Sequence, residues 1–421
     1  MRLGKNKIYV YADWDDFEYP LLLGILSSDL LKGKEIFSFE YNDEWLKSHN
    51  GQILDPDLGL YSGSQYLKNN KSNFGLFLDS SPDRWGRVLM KRREAILAKS
   101  EKRAINPLHE SDFLLGVYDL HRMGALRFKL EPDGAFLDNN EDYSAPPWTS
   151  IRELEYVSLE FEKNIEQDSP DLLKWLNILM APGSSMGGAR PKASVQHPDG
   201  SLWIAKFPSN NDETDVGAWE MVVNELAQKA GISIAKAIVK NFSNKHHTYL
   251  TKRFDRTTEG KRIHFSSAMT LLGYADGADA EDGVSYLELG EFIIKNGANV
   301  KEDLTELFRR IIFSIAVSNT DDHLRNHGFL LTKRGWILSP AYDINPNPHG
   351  TGLKLNISEE DNSLDFNLAL SVAPFFRLTE TAANDIVRNI KLAVSTWSVC
   401  AGRYHISKLE REMMNNAFKF V

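Results

Sequence analysis

Residues 318–343 constrain the sequence more than any other stretch. Asp321, His323 and Asn326 stand there as D-x-H-x-x-N, and Asp343 follows after a predicted strand–turn–strand. Phosphoryl transfer needs a carboxylate that accepts the proton of the attacking hydroxyl, and oxygen ligands that hold Mg²⁺ against the phosphates. A polar turn after a buried helix uses the same residue types for turn chemistry. This stretch alone leaves both interpretations open.

Composition limits the classes of function. With 421 residues the chain has room for two or three domains, and its net charge of −9 gives no general attraction for nucleic acid. The single cysteine, Cys400, excludes an intramolecular disulfide and a cysteine-built metal site, and it fits a reducing compartment. The start of the chain has no signal-peptide pattern, and no apolar run is long enough to cross a bilayer. We therefore expect a cytoplasmic protein without a membrane partner.

Residues 1–148 are predicted to form an amino-terminal α/β subdomain. Strand-like runs cover residues 7–11 and 35–41, and residues 74–93 predict a turn that feeds a helix capped by Ser81 or Asp83. Residues 131–148 are rich in Pro, Asp, Asn and Gly, which is typical of a linker.

Residues 149–255 show the order of elements found in a protein-kinase amino-terminal lobe. After a predicted helix over 171–180 comes a glycine loop, followed by a hairpin whose second strand ends at Lys206. A lysine in this place pairs with ATP phosphates in kinases, although a solvated edge lysine is common too. Residues 215–230 predict a helix capped by Asp215, with Glu220 and Glu225 as candidate partners of the lysine. Strands over 234–242 and 247–254 complete the small sheet.

Helical patterns dominate residues 256–421, over 285–296, 302–317, 380–397 and 406–418. The D-x-H-x-x-N stretch directly follows the most apolar of these helices. Its step of five from Asp321 to Asn326 equals that of the kinase catalytic loop, and Asp343 stands where the metal-binding Asp of D-F-G is expected. His323 is either a metal-loop residue or a structural histidine, and we favour the structural role because Mg²⁺ prefers oxygen ligands.

Five motifs in one order carry a resemblance to a known family. They are GGARPKA (187–193), WIAKFP (203–208), TKRFDR (251–256), NTDDHLRNHGFLL (319–331) and LSPAYDINP (338–346). Together they resemble the HipA family of serine/threonine kinases, the toxins of bacterial toxin–antitoxin operons. Upstream, LDSSPDRWGR (78–87) and DLHRMGALRF (119–128) resemble the family's amino-terminal subdomain. The resemblance implies an α+β, protein-kinase-like fold with two lobes and an extra amino-terminal α/β subdomain.

The resemblance also implies roles for individual residues. Asp321 becomes the catalytic base, Asn326 and Asp343 the Mg²⁺ ligands, and Lys206 and Glu220 the phosphate-binding lysine and its partner. The remaining nucleotide-site residues belong to the glycine loop, the hinge that faces adenine and the catalytic loop, and Ser185 is the implied autophosphorylation site. These further nucleotide-site residues are Gly187, Gly188, Ala189, Arg190, Lys192, Lys252, Arg253, Phe254 and His323.

The sequence departs from the family pattern near the site. Asp322 stands where glycine is frequent, but its step of four to Asn326 differs from the kinase spacing, so Asp321 is kept as the base. Arg325 replaces a frequent lysine and is expected to contact the transferred phosphate as a planar fork. The adjacent Ser184 leaves the autophosphorylation site open by one residue.

The sequence therefore predicts a kinase that uses ATP and Mg²⁺ and phosphorylates a protein. The resemblance implies a small helix-turn-helix antitoxin (HipB-like) as partner, an aminoacyl-tRNA synthetase as a candidate substrate, and contact with DNA only through the antitoxin. Two alternatives stay open. One is a kinase for a small molecule or phosphoinositide, and the other is a catalytically idle corepressor scaffold for a DNA-binding antitoxin.

Overall fold

The computed structural model describes residues 6–48, 52–68, 71–141, 144, 146–163, 176, 179, 190–242 and 245–420. The chain forms two compact units. One comprises Met1–Asn210 with Asp255–Ser266, and the other comprises Asn211–Phe254 with Ser267–Val421. The three-domain assignment, with boundaries at 148 and 255, stays a prediction.

A five-stranded antiparallel sheet forms the centre of the first unit. Its strands lie in the order β4-β3-β2-β1-β5. Their bounds are Asn6–Ala12 (β1), Leu21–Leu31 (β2), Lys34–Tyr41 (β3), Gln65–Tyr66 (β4) and Leu126–Lys129 (β5). Alternate residues Ile8, Val10 and Ala12 of β1 are fully buried, as the period of two in a half-buried strand requires. The two predicted strands in this region are confirmed.

The turn between β2 and β3 shows how the sequence closes a hairpin. Leu31 pairs with Lys34, so only Lys32 and Gly33 form the loop. Both have positive φ, 50° and 81°, as a two-residue turn that matches the strand twist demands. Glycine adopts this conformation without a Cβ clash, whereas Lys32 is held there by the register of the strands on either side.

The helices of the first unit include one, Arg84–Ser100, whose cap was predicted from the sequence. They are Asp43–Ser48 (α1), Gly75–Leu78 (α2), Arg84–Ser100 (α3), Glu110–Leu115 (α4) and Ile151–Lys163 (α5). Asp83 caps α3 by accepting a hydrogen bond from Gly86 N, whereas the Ser81 hydroxyl donates to Phe77 O. Of the two predicted caps, Asp83 is therefore the one used. A hairpin of Lys192–Gln196 (β6) and Leu202–Lys206 (β7) also belongs to this unit.

In the second unit, a hairpin of Ala237–Asn241 (β8) and His247–Lys252 (β9) accompanies helix Val216–Lys229 (α6). Asp215 caps this helix through Ala218 N, and Gly231 takes a left-handed φ of 76° just after its end. The predicted helix, its cap and its terminating glycine are confirmed. The helix predicted over 171–180 lies outside the described residues except for Leu176 and Leu179.

The rest of the second unit is mainly helical, after the short strand Phe265–Ser267 (β10). Its helices are Ala268–Leu271 (α7), Tyr286–Asn296 (α8), Val300–Val317 (α9), Phe366–Val372 (α10), Glu380–Val394 (α11), Trp397–Arg403 (α12) and Lys408–Met414 (α13). The helix expected over 380–397 is interrupted after Val394, where the hydroxyls of Ser395 and Thr396 donate to backbone oxygens of Leu392 and Ala393. Such local bonds compete with helix continuation.

Helix α9 forms the centre of this second core. Ile311, Ile312, Phe313 and Ile315 are fully buried, so the end of the helix is fixed on every side. The hairpin Gly328–Thr332 (β11) and Gly335–Leu338 (β12) follows it, as predicted. Helices and antiparallel strands together confirm the α+β class. Within the described part of the chain, no helix is long and apolar enough to span a membrane.

Candidate functional site

The turn that carries Asp321 and Asn326 starts where α9 ends. Ser318 closes the helix in a left-handed conformation, with φ of 49°, and Asn319 N donates to Ser314 O. A single 3₁₀ turn, Leu324–Asn326, then leads into β11. Because α9 is buried and β11 is paired with β12, both ends of this catalytic turn (residues 318–327) are anchored in rigid elements.

Asp321 and Asn326 have complementary surroundings. The side chain of Asp321 is exposed, and the structure gives its carboxylate no hydrogen-bond partner among the described residues. Asn326 is only 5% exposed, and its Nδ2 donates to Asp321 O at 3.0 Å. Its buried Oδ1 accepts no hydrogen bond from any described residue. An accessible carboxylate and a buried, unused amide oxygen therefore lie on one turn.

Asp322, the second candidate carboxylate, has a different environment. Its Oδ2 accepts hydrogen bonds from the Tyr286 hydroxyl at 2.6 Å and from Ser314 Oγ at 3.3 Å. Its Oδ1 lies 3.1 Å from His327 Nε2. Burial opposes the charged form, but His327 and the Tyr286 hydroxyl outweigh it and hold the pKa of Asp322 below its ordinary value. Because both oxygens of the buried Asp322 carboxylate face other side chains, Asp321 is favoured as the carboxylate that a substrate can reach.

Asp343 follows β12 in a strained backbone conformation. Its φ is 56°, a left-handed value that non-glycine residues rarely adopt and that often marks functional positions. Asn345 Nδ2 donates to Asp343 Oδ1 at 3.3 Å, and Asn345 N donates to Asn319 Oδ1 at 3.2 Å. The Tyr342 hydroxyl donates to Arg325 O at 2.7 Å. The segment that bears Asp343 is thus tied to the turn that bears Asn326.

Glu220 approaches the same region from α6. It is 4% exposed, whereas Glu225 contacts Arg403 and Tyr404 instead. Burial and the negative charges of Glu220 and Asp343 together hold the pKa of Tyr249 well above its ordinary value. The Tyr249 hydroxyl therefore lies within electrostatic range of both the Glu220 and the Asp343 carboxylates. Of the two predicted glutamates, the environment favours Glu220 as the residue on the site side of the helix.

The basic and hinge candidates have distinct positions. Lys192 and Lys206 are directly opposite in the β6–β7 hairpin. Lys192 is buried and its Nζ lies 2.9 Å from Asp83 Oδ2, so its contact with phosphate stays a prediction. Lys206 is half-buried at the end of β7.

In the predicted hinge, Lys252 ends β9, Arg253 is buried, and the ring of Phe254 lies 5.5 Å from that of Tyr342. Arg190 is half-buried just before β6. Gly187, Gly188, Ala189, Ser184 and Ser185 lie outside the described residues, so the glycine loop and the autophosphorylation site stay predictions.

His323 and Arg325 flank the 3₁₀ turn. The buried Nδ1 of His323 has no hydrogen-bond partner in the described part of the chain, so a structural bond from that atom to the backbone is not observed. Arg325 is half-buried, and its guanidinium lies 3.5 Å from the exposed carboxylate of Asp276. Because the Asp276 carboxylate is solvated and 3.5 Å away, this pair is weak and leaves the guanidinium available to a stronger anion.

The donor set fits a magnesium ion. Asn326 Oδ1 and the Asp343 carboxylate are oxygen ligands of the kind that Mg²⁺ takes, usually one or two from protein with water and phosphate completing the octahedron. The described residues contain no group of three or more His, Cys, Asp and Glu side chains suited to a metal. A magnesium site here would therefore take Asn326 Oδ1 and the Asp343 carboxylate from the protein, with water and nucleotide oxygens as the other ligands.

Sequence reasoning missed the residues that support the site. Tyr286 bonds Asp322, and Asn345 bonds Asp343 and Asn319, yet neither residue belongs to a spacing pattern with a chemical meaning. Asn345 was visible in the LSPAYDINP motif, but nothing in that motif distinguished it from a turn residue.

Comparisons with known proteins agree with the motifs. The HipA-like C-terminal domain matches residues 184–397, slightly more than half of the chain. Two curated relatives carry provisional kinase names: a Haemophilus influenzae protein 28% identical over 180 residues, and a Sinorhizobium fredii protein 27% identical over 157 residues. The matches cover 38% and 34% of this chain, and 52% and 37% of the relatives. The chain thus spans about half of the first relative's length and less of the second's.

A solved structure shares the fold over nearly the whole chain. It is the Shewanella oneidensis toxin–antitoxin complex of HipA and HipB with operator DNA. One of its chains matches with a TM-score of 0.64 and 17% sequence identity, covering 98% of this chain and 97% of that chain. At this identity the similarity establishes the fold alone. Because the HipA-like C-terminal domain accounts for half of its length, the chain belongs to the HipA family.

Proposed function

We propose that this chain is an ATP- and Mg²⁺-dependent protein serine/threonine kinase that acts as the toxin of a toxin–antitoxin pair. The catalytic turn supports this most strongly. It presents an exposed carboxylate, Asp321, five residues before Asn326, whose buried Oδ1 has no hydrogen-bond partner among the described residues. That combination suits a base for the hydroxyl and a ligand for the metal.

The chemistry would follow from these positions. Asp321 would accept the proton of a serine or threonine hydroxyl while the oxygen of that hydroxyl attacks the γ-phosphorus. The bond between the γ-phosphorus and the β,γ-bridging oxygen breaks, and ADP leaves with that oxygen. Asn326 and Asp343 would hold Mg²⁺, which when bound neutralises charge on the phosphates. Arg325 offers a planar guanidinium to the transferred phosphoryl group. The protein supplies position and charge rather than covalent chemistry.

The nucleotide would be held by residues assigned through the family resemblance. By the family resemblance, Lys206 would contact the phosphates with Glu220 as its proposed partner, and Lys252, Arg253 and Phe254 would face adenine. The glycine loop with Gly187 and Gly188 would cover the phosphates. The curated relatives' kinase names support a kinase, whereas the individual residue roles rest on the family resemblance alone.

A small helix-turn-helix antitoxin is the proposed partner, with DNA bound through it. The support is that the structure with a similar fold comes from a complex of HipA with HipB and operator DNA. The proposed substrate is a protein, with an aminoacyl-tRNA synthetase as the candidate class.

Ser185 is proposed as an autophosphorylation switch. A phosphoserine beside Gly187 adds about −1.5 to −2 charges close to the ATP phosphates, which opposes nucleotide binding. Mass spectrometry after incubation with ATP and Mg²⁺ should find phosphate on Ser185, and none in an Asp321→Asn variant. Phosphate on Ser184 alone would move the switch by one residue, and phosphate on neither would remove it.

Transfer of radiolabel from γ-labelled ATP tests the function as a whole. The purified protein is incubated with label and Mg²⁺ in the presence of a protein lysate or of phosphoinositide vesicles, with Asp321→Asn as control. We expect label in protein, dependent on Asp321. Label in lipid alone would instead favour a lipid kinase, and label in neither would favour an idle scaffold.

A further inference from the structure

A buried polar cluster lies beneath the catalytic turn, and the proposed chemistry does not use it. It consists of Asp322, Tyr286, Ser314 and His327, each 5% exposed or less. Asp322 accepts from Tyr286 and Ser314 through one oxygen and contacts His327 through the other, at 2.6, 3.3 and 3.1 Å. A single carboxylate therefore connects three separate parts of the chain.

The three partners come from rigid or anchored positions. Tyr286 is the first residue of α8, behind a capping box in which Ser285 N donates to Glu288. Ser314 lies in the last turn of α9. The ring of His327 packs edge-on against Tyr286, with centroids 5.6 Å apart at 88°, and His327 O accepts from Ala268 N at 2.8 Å. Two helix ends and the start of β11 thus meet at Asp322.

The cluster also closes a loop around the functional residues. Asp322 directly follows Asp321, and His327 directly follows Asn326. The contact between Asp322 and His327 therefore joins the two ends of the segment that presents the predicted base and the predicted metal ligand. A buried carboxylate is costly unless it is paired and hydrogen-bonded. Here two hydroxyls donate to Oδ2 and His327 Nε2 lies 3.1 Å from Oδ1, so groups from three directions hold the carboxylate.

We infer that Asp322 is a positioning residue: with His327 and Tyr286 it braces the catalytic turn and fixes Asp321 relative to Asn326. This inference rests on the proposed kinase function for its catalytic consequence, but the brace itself is a property of the fold. Misplacing a reacting group by about 1 Å typically costs on the order of 10²-fold in rate. Loss of the brace should therefore lower kcat more than it weakens ATP binding.

Two independent measurements on the full chain test the brace. Hydrogen–deuterium exchange of peptides covering residues 318–328 reports on the turn without requiring activity, and steady-state kinetics reports kcat and KM for ATP. The variants are Asp322→Asn, Tyr286→Phe, His327→Gln and the double variant Asp322→Asn/His327→Gln. Asp303→Asn is the matched control, since Asp303 is a buried carboxyl near the start of α9 that accepts from Leu338 N at 3.1 Å.

We expect Asp322→Asn to speed exchange in residues 318–328 and to lower kcat by roughly 10²-fold with little change in KM for ATP. Tyr286→Phe should give a smaller effect of the same kind, and the double variant should be no worse than Asp322→Asn alone. Asp303→Asn should change neither readout in the turn. Thermal unfolding identifies variants whose loss is global.

Unchanged exchange in the turn of Asp322→Asn would overturn the brace, and so would equal and additive losses in the double variant. If the wild-type chain transfers no phosphate at all, the kinase proposal fails, while the exchange experiment still decides the brace.

Discussion

Asp321 and Asp322 are neighbours in the chain, yet their carboxylates lie in opposite surroundings. Asp321 is exposed, whereas Asp322 is buried beneath the turn and bound by Tyr286, Ser314 and His327. A general base must reach the proton that it removes. Exposure therefore favours Asp321 as the proposed base, and burial favours Asp322 as the proposed support of the turn.

Replacing Asp321 with asparagine should abolish phosphoryl transfer while ATP binding and stability are kept. Asparagine preserves the shape of the side chain but cannot take up the hydroxyl proton. Loss of a positioned general base typically costs roughly 10²–10⁴ in rate. Label transfer measures the loss, and calorimetry of ATP binding with thermal unfolding serves as the control. Full activity in this variant would contradict the assignment of the base.

Asn326→Ala and Asp343→Ala should each weaken the Mg²⁺ dependence of nucleotide binding. Each substitution removes one oxygen ligand from an ion that takes few protein ligands and tolerates little distortion. Calorimetric titration of ATP with and without Mg²⁺ measures the effect. Asn347→Ala, which removes a nearby amide bonded to Thr320, is a suitable control. An Mg²⁺ dependence that survives in both variants would contradict the metal assignment.

Asp55 predicts a pH dependence of stability in the first unit. Its oxygens accept hydrogen bonds from Asp57 N and Leu76 N, but burial dominates and raises its pKa to about 6. Between about pH 4 and pH 6, Asp55 therefore stays protonated in the folded state, whereas in the unfolded chain it has lost its proton. Stability from this group is present below about pH 4 and is lost as pH rises to about 6, by on the order of 2–3 kcal/mol.

Urea unfolding at pH 4.5 and pH 6.5 measures this effect in the wild type and in Asp55→Asn. The variant cannot titrate at this position, so its loss of stability between the two values should be smaller than that of the wild type. Identical pH dependence in both proteins would show that Asp55 has an ordinary pKa.

At the scale of elements, capping residues decided where helices begin. Asp83, Asp215 and Ser285 stand one residue before α3, α6 and α8, as their side-chain chemistry predicts. Asp83 has a second role that the sequence does not indicate, because its Oδ2 lies 2.9 Å from Lys192 Nζ at the start of β6. One carboxylate thus joins a helix start to a hairpin.

Asp83→Ala should lower the free energy of unfolding of the first unit by about 3–5 kcal/mol, because it leaves Lys192 as an uncompensated buried charge and removes a cap. Both side chains of the pair are at most 4% exposed. Lys163→Met is the control, since it breaks an exposed pair with Glu160 that is worth about 1 kcal/mol at most. Urea denaturation compares them, and equal effects would contradict a buried structural pair.

For the whole molecule, the net negative charge predicts weak binding to nucleic acid. Acidic residues outnumber basic ones, 58 to 49, and non-specific DNA binding depends on neutralising phosphates. The isolated chain should therefore show no useful affinity for duplex DNA at physiological salt, and association should need a basic antitoxin, docked partly on residues 1–145. Gel shift across a salt series measures this. Tight, salt-sensitive binding by the chain alone would contradict it.

The sequence by itself determined the α+β class, the starts of helices α3, α6, α8 and α11, and the family. Hydrophobic period, capping residues and motif order are local properties of the chain, so they are visible without a structure. The spacing of Asp321, Asn326 and Asp343 likewise named the candidate site. Local pattern failed near residue 395, where side-chain hydroxyls bond the backbone and end a helix that periodicity continues.

Only the tertiary structure decided which charged side chains are buried and which partners they contact. It buried Asp322 and exposed Asp321, tied Lys192 to Asp83, and placed Tyr249 under the influence of Glu220 and Asp343. These outcomes depend on residues far apart in the chain, such as Tyr286 and Asp322, that meet only when helices pack. Burial and partner choice are set by packing, and no spacing pattern in one sequence encodes which distant side chain a carboxylate will meet.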